Sequence, residues 1–328
     1  MRLLSWVTIS CGGLLVDECE RPADGGNPSV PLSGGGRRTV RNSLAPLLRT
    51  TAYPVLLLAV VLVGAAALRL DWDPARVSPL FLVGTLVYLG VLERLIPYER
   101  EWHPGGAEWR WYGAYFVLTM AGSGLAQFLV TAAVGWISPA EPAHHLGIEI
   151  PGALLTGSFV GYVVHRLGHS NPILWRLHGV HHVPEKVNVA NNGVNHVLDI
   201  VLAQSLVQLT VALIGFSRPA VLVVGLFVAA QGYFVHANID VRIGRFNHLL
   251  ASPEQHRLHH STDLSEAGHY GSDLSCWDHF FGSFTWYPGR EPASVGLVDP
   301  ASFPGTGEIL ASLLHPWRRR PATDRGPN

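Results

Sequence analysis

Six apolar stretches, at 53–70, 79–95, 111–137, 150–164, 197–216 and 219–235, leave this chain few ways to fold. A helix needs roughly 17–25 residues to cross the hydrocarbon core of a bilayer. In lipid, backbone polar groups find partners only inside a helix or a closed barrel. Unbroken runs of this length therefore read as helices. The third and fifth are long enough unaided, whereas the fourth is short and is expected to enter only partway. Turn formers separate them, D-W-D-P at 71–74 and S-R-P at 217–219, which predicts hairpins of the first with the second and the fifth with the sixth. Apolar residues make up 48% of the chain and charged residues only 14%, too apolar for an ordinary soluble domain. The fold class that follows is an all-α integral membrane helical bundle.

Outside these stretches, residues 17–41 are dominated by Gly, Pro, Ser and charge, so 1–52 is expected to be a disordered N-terminal tail. The first 15 residues carry one Arg and a broken apolar run, which argues against a secretory signal. The expected division is N-terminal transmembrane helices over 53–145, a metal-binding membrane domain over 146–290 and a C-terminal tail over 291–328. If the helices alternate in direction, 20 of the 23 Lys and Arg fall on one side, and only Arg69, Arg76 and Arg218 on the other. Basic loops face the cytoplasm. The same alternation, which took no account of histidines, brings every histidine cluster to that cytoplasmic side as a helical cap.

Those clusters carry the chemistry. Of 17 histidines, 12 fall between His165 and His269, and eight form H-R-L-G-H (His165, His169), H-G-V-H-H (His178, His181, His182) and H-R-L-H-H (His256, His259, His260). Positions three and four apart share a helix face, and imidazole suits Fe, Zn, Cu and Ni. A single H-x-x-x-H is as readily a coincidence or a helix-end cap. Two H-x-x-H-H triplets on one side of a membrane are not, and so many neutral donors imply more than one metal ion. His236, delivered by the sixth stretch, is a ninth candidate ligand, and His196 and His269 are possible additions. His248 is weaker, and His103, His144, His145, His279 and His315 read as surface residues. Ligating imidazoles usually donate their second N–H to a carboxylate or carbonyl, so Asp199, Glu254, Asp273 and Asp278 are candidate partners. Gly161 and Gly168 are expected to leave room for close helix approach. Trp109, Trp111, Tyr112, Trp136 and Trp175 fit an interfacial aromatic belt.

Several function classes are disfavoured. A net charge of −1 offers no surplus to neutralise phosphates, so no nucleic-acid partner is expected. Cys11, Cys19 and Cys276 show no C-x-x-C spacing. A transporter would place ionisable groups mid-span, and these spans have almost none. A zinc hydrolase needs three ligands and a general base, as in the absent H-E-x-x-H. A non-catalytic metal store stays open. No dinucleotide, P-loop or haem-attachment motif is present, so any redox chemistry here calls for an external electron donor.

Taken together, H-R-L-G-H, L-W-R-L-H-G-V-H-H, F-V-H-A-N, S-P-E-Q-H-R-L-H-H-S and H-Y-G-S-D-L-S-C-W-D-H-F-F-G-S-F resemble the fatty acid hydroxylase superfamily, also called the sterol desaturase family, over roughly residues 80–290. The resemblance implies a non-haem di-iron centre with O2 as co-substrate. Its ligands would be His165, His169, His178, His181, His182, His256, His259 and His260, with His236 at the F-V-H-A-N position. It implies hydroxylation or desaturation of a membrane lipid of the sterol, fatty acyl, sphingoid or similar class, fed by a ferredoxin, cytochrome or reductase. The alternative is a non-catalytic or zinc-binding membrane metalloprotein. Gly232 stands where some members carry a further histidine, and His269 stands at the Asn of the usual N-Y-G.

Overall fold

The computed structural model describes residues 41–134 and 141–318; most of the expected tail and Trp136 lie outside them. Six helices are long and apolar enough to cross a membrane: α1 (Arg41–Arg69), α2 (Pro74–Leu95), α3 (Gly106–Val134), α4 (Leu146–Ser170), α6 (Val197–Ile214) and α7 (Arg218–Val235). Short helices α5 (Pro172–His178), α8 (Pro253–His259), α9 (Cys276–Phe281) and α10 (Ile309–Leu314) complete the fold, with no strand among the described residues.

Both predicted turns are present, but only the first closes a packed hairpin: α1 packs against α2, whereas α6 and α7 each pack against α4 more than on each other. Asp73 caps α2 through the Ala75 amide, 3.0 Å away, ahead of Pro74 in the first turn. Ser217 caps α7 and is itself held by Glu149 of α4. Two helices run further than their apolar stretches. α1 starts at Arg41, well ahead of residue 53, because its first turns leave the apolar layer and anchor through Arg49 to Asp240 at 2.7 Å. α4 is 25 residues long; its apolar stretch looked short because the last turns carry His165, Arg166 and His169.

α6 packs against α3 and α4, and α7 packs against α4, α2 and α1. Outward faces present large apolar side chains, including Val61 at 63%, Val117 at 65% and Phe128 at 67% exposure. A continuous apolar surface of this kind cannot face water at tolerable cost. This is an integral membrane protein. The C-terminal ends of α2, α4 and α7 meet at one end of the bundle, where α5, α8, α9 and their loops form a cap. Residues 291–318, read above as tail, pack onto that cap: Phe303 stacks edge-on against Trp175, with centroids 5.8 Å apart.

Candidate metal centre

Nine histidines converge at this end, in two groups whose donor atoms lie within 4.8 Å of one another. One group is His165, His169, His178, His182 and His259; the other is His181, His236, His256 and His260. These are the nine expected candidates. α4 supplies His165 and His169, one turn apart. The helical run 172–182 supplies His178, His181 and His182, α8 with its cap supplies the second triplet, and α7 ends at His236. The groups abut, the rings of His182 and His260 stacking at 4.2 Å.

Each triplet is divided between the groups. His178 and His182 join the five-histidine group while His181 turns to the other; in α8 the pattern is exchanged, His256 and His260 joining the four-histidine group and His259 the five. Both triplets therefore span the two halves.

The outer ring nitrogens are held by the fold. Nδ1 lies 2.6 Å from the Tyr270 carbonyl in His165, 3.0 Å from Asp199 in His178, 3.2 Å from the Val194 carbonyl in His181, 2.9 Å from the Asn188 carbonyl in His236 and 3.2 Å from the Gly268 carbonyl in His259. An acceptor there makes Nδ1 the protonated nitrogen and leaves the Nε2 lone pair free. Nε2 of His165, His169, His178, His182, His236 and His259 is buried without any partner. So many unsatisfied buried acceptors would be costly in a finished core; bound cations would satisfy them. Burial first, then repulsion between neighbouring rings, holds His182, His256 and His260 well below the ordinary imidazole range, and burial brings His236 down to about 4. These rings are neutral at pH 7, the state that binds metal. The donor set fits transition-metal ions, and its division fits two of them.

Other expected residues fall elsewhere. His196 is buried but caps α6, its ring accepting from the Leu198 amide and bonding the Leu313 carbonyl. His269 belongs to neither group. Its φ of +63° is the reason for a polar residue there: Asn and His are among the few side chains that tolerate left-handed backbone. Of the four acids, only Asp199 touches a grouped histidine. Asp278 supports the loop behind His165 and His259, Glu254 accepts from Asn247, and Asp273 is buried with one oxygen unpartnered. Trp175 is no belt residue: it is buried, its ring 5.3 Å from His169 and 5.6 Å from His182. Tyr112 is likewise buried. What the sequence did not reveal is the set of backbone carbonyls at 188, 194, 268 and 270, which leave no residue-type signal.

Gly168 gives the His178 ring its room. A Cβ there would meet the His178 ring at 3.0–3.3 Å, whereas one at Gly161 meets nothing within 4 Å. Gly168→Ala should cost about 1–3 kcal/mol through overpacking and press His178 off Asp199. Thermal unfolding and metal content of Gly168→Ala against Gly161→Ala check this; equal behaviour would show that the contact is not limiting.

A fatty acid hydroxylase family model matches residues 150–283. An ornithine lipid hydroxylase from Rhizobium tropici is 28% identical over 82% of this chain and 83% of its own length. Alkylglycerol monooxygenases are 29% identical, that of Danio rerio over 48% of this chain and that of Homo sapiens over 45%. The chain spans only 35% and 33% of those two proteins. No solved structure matches it. Residues 150–283, the segment that matches the fatty acid hydroxylase model, hold all nine grouped histidines, and over most of its length the chain is similar to a lipid hydroxylase.

Proposed function

We propose that this chain is an O2-dependent lipid hydroxylase whose nine grouped histidines hold two iron ions on the cytoplasmic face of the membrane. The observation that carries the reading is the convergence of nine imidazoles, eight of them buried and His165 half-buried, from four chain segments into two abutting groups, in a domain shared with lipid-hydroxylating relatives. Iron with O2 supplies the oxidant that breaks an unactivated C–H bond, which side chains alone cannot supply. The balance is one C–H bond, one O2, two electrons and two protons giving an alcohol and water. The electrons come from an external ferredoxin, cytochrome or reductase. Loss of a second hydrogen in place of hydroxyl return would give an alkene; the relatives' names favour hydroxylation.

The residues of this chain set the conditions. Carbonyls and Asp199 fix ring poses, while burial keeps the rings neutral. Trp175 and Phe303 cover the five-histidine group on one flank. A cavity of about 90 Å³ reaches His169, His182 and His259 beside Tyr270 and Leu264, leaving room for a small group next to the five-histidine group. A larger groove of about 960 Å³ lies between α1 and α2 toward their turn, the end of α2 remote from the histidines, and takes no part in the chemistry. The cytoplasmic assignment is supported by the sequence count: with spans of alternating direction, 20 of the 23 Lys and Arg fall to the side of the histidine motifs.

Metal analysis and O2 uptake by the purified protein, with lipid extracts of cells carrying or lacking the gene, test this reading. Expected are about two iron per chain, O2-dependent oxidation of an added reductant only with a donor protein, and a lipid gaining one oxygen atom. Tightly held zinc with no O2 uptake would sink it.

A further inference from the structure

Among the described residues the four-histidine group has no acid of its own at hydrogen-bond distance, unlike His178 with Asp199. It has one at a distance of one peptide. Glu93, only 6% exposed near the end of α2, accepts from the Val189 amide at 2.8 Å. That N–H belongs to the same peptide group as the Asn188 carbonyl, which bonds Nδ1 of His236 at 2.9 Å. The carboxylate, the peptide and the imidazole thus form one aligned chain of hydrogen bonds. Negative charge on a peptide N–H strengthens its carbonyl as an acceptor, because bonds in such a chain polarise one another.

The same Glu93 oxygen accepts from the Asn238 amide at 2.8 Å, two residues beyond His236. Glu93 therefore grips both the acceptor for the ring and the chain that carries it. Neighbouring bonds brace this grip: Asn188 is locked in a reciprocal cap with Asn191, and Asn238 exchanges two bonds with Glu99. A carboxylate in an apolar span is costly and is retained for a role.

Resting on the metal reading above, we infer that Glu93, from outside the 150–283 hydroxylase domain, is the positioning residue of the four-histidine half. It acts on His236 through the 188–189 peptide. Loss of such outer partners typically weakens metal binding about 10–100-fold. The effect belongs to one half only, since the five-histidine group is supported by Asp199, Gly268 and Tyr270 instead.

The test is anaerobic Fe2+ titration of the full chain in detergent, with hydrogen exchange of the metal-free protein. Glu93→Ala should weaken one of two iron equivalents about 10–100-fold, and Glu93→Gln, which keeps an acceptor oxygen, less than tenfold. In a His259→Ala background Glu93→Ala should weaken the iron of the four-histidine half by the same factor; in a His181→Ala background it should leave the iron of the five-histidine half unchanged. Metal-free Glu93→Ala should exchange faster at 186–193 and 236–240, and not at 268–271. Should Glu93→Ala fail to fold, Glu93→Asp, one methylene too short to reach both amides, carries the same expectations. Equal weakening of both irons, or unchanged exchange at 186–193, overturns the inference. If the unmodified chain binds no iron pair, the functional reading fails, and the exchange experiment alone decides the role of Glu93.

Discussion

His181→Ala and His259→Ala should each abolish hydroxylation while removing iron from opposite halves of the centre. Each is the middle residue of an H-x-x-H-H triplet, and each points to the group its flanking partners avoid. Without His181 the four-histidine group keeps three donors; without His259 the other keeps four, so iron loss should be more complete in His181→Ala. Because the chemistry needs both halves together, activity should fall at least about 10³-fold in either variant, equivalent to about 4 kcal/mol in the barrier. Both rings sit in the cap, outside the spans, so membrane insertion should not change. Iron analysis, product formation and membrane fractionation of the two variants settle it. Full activity in either would show that the ring is not a ligand.

This split of the triplets is where the sequence stopped being readable. In α8, at about 100° per residue, His256 and His260 lie about 40° apart and His259 about 100° from His260, so the three rings fan out, while the first triplet turns from α5 into a 3-10 helix at Gly179–His182. The spacing pointed to shared helix faces and so to a cluster; the division of each triplet between two groups depends on how α4, α7 and α8 meet. The spans were legible because apolar runs of membrane length admit few alternatives. Their ends were less so: α1 and α4 continue past the apolar layer on residues whose partners, such as Asp240 for Arg49, are distant in sequence. His196 could be read as ligand or cap, and its ring accepts the second amide of α6. Glu93 carried a readable signal as an acid in an apolar span, but its partners are amides, which no residue type announces.

The loop behind the five-histidine group makes the largest stability prediction. Asp278 is completely buried and accepts from the Tyr270 amide at 2.7 Å, the Gly271 amide at 2.8 Å and the Ser283 hydroxyl at 2.8 Å. These bonds set the backbone that presents the carbonyls of Gly268 and Tyr270 to His259 and His165. The fit admits no side chain at position 271, where a Cβ would lie 2.6 Å from the Asp278 carboxylate and 2.5 Å from the Leu274 carbonyl. Asp278→Ala strands the buried Gly271 amide and the half-buried Tyr270 amide at about 1–3 kcal/mol each, while the Ser283 hydroxyl keeps Tyr162 as a partner. The net loss should be on the order of 3 kcal/mol. Asp278→Asn keeps one acceptor oxygen but turns an N–H toward an amide, and should fall between. Iron should be lost from the five-histidine half and kept in the other, the reverse of the pattern for His181→Ala. Thermal melts and iron counts on the two Asp278 variants read both effects. A protein that melts like the unmodified chain and holds the same iron would mean that His165 and His259 keep their poses without this loop.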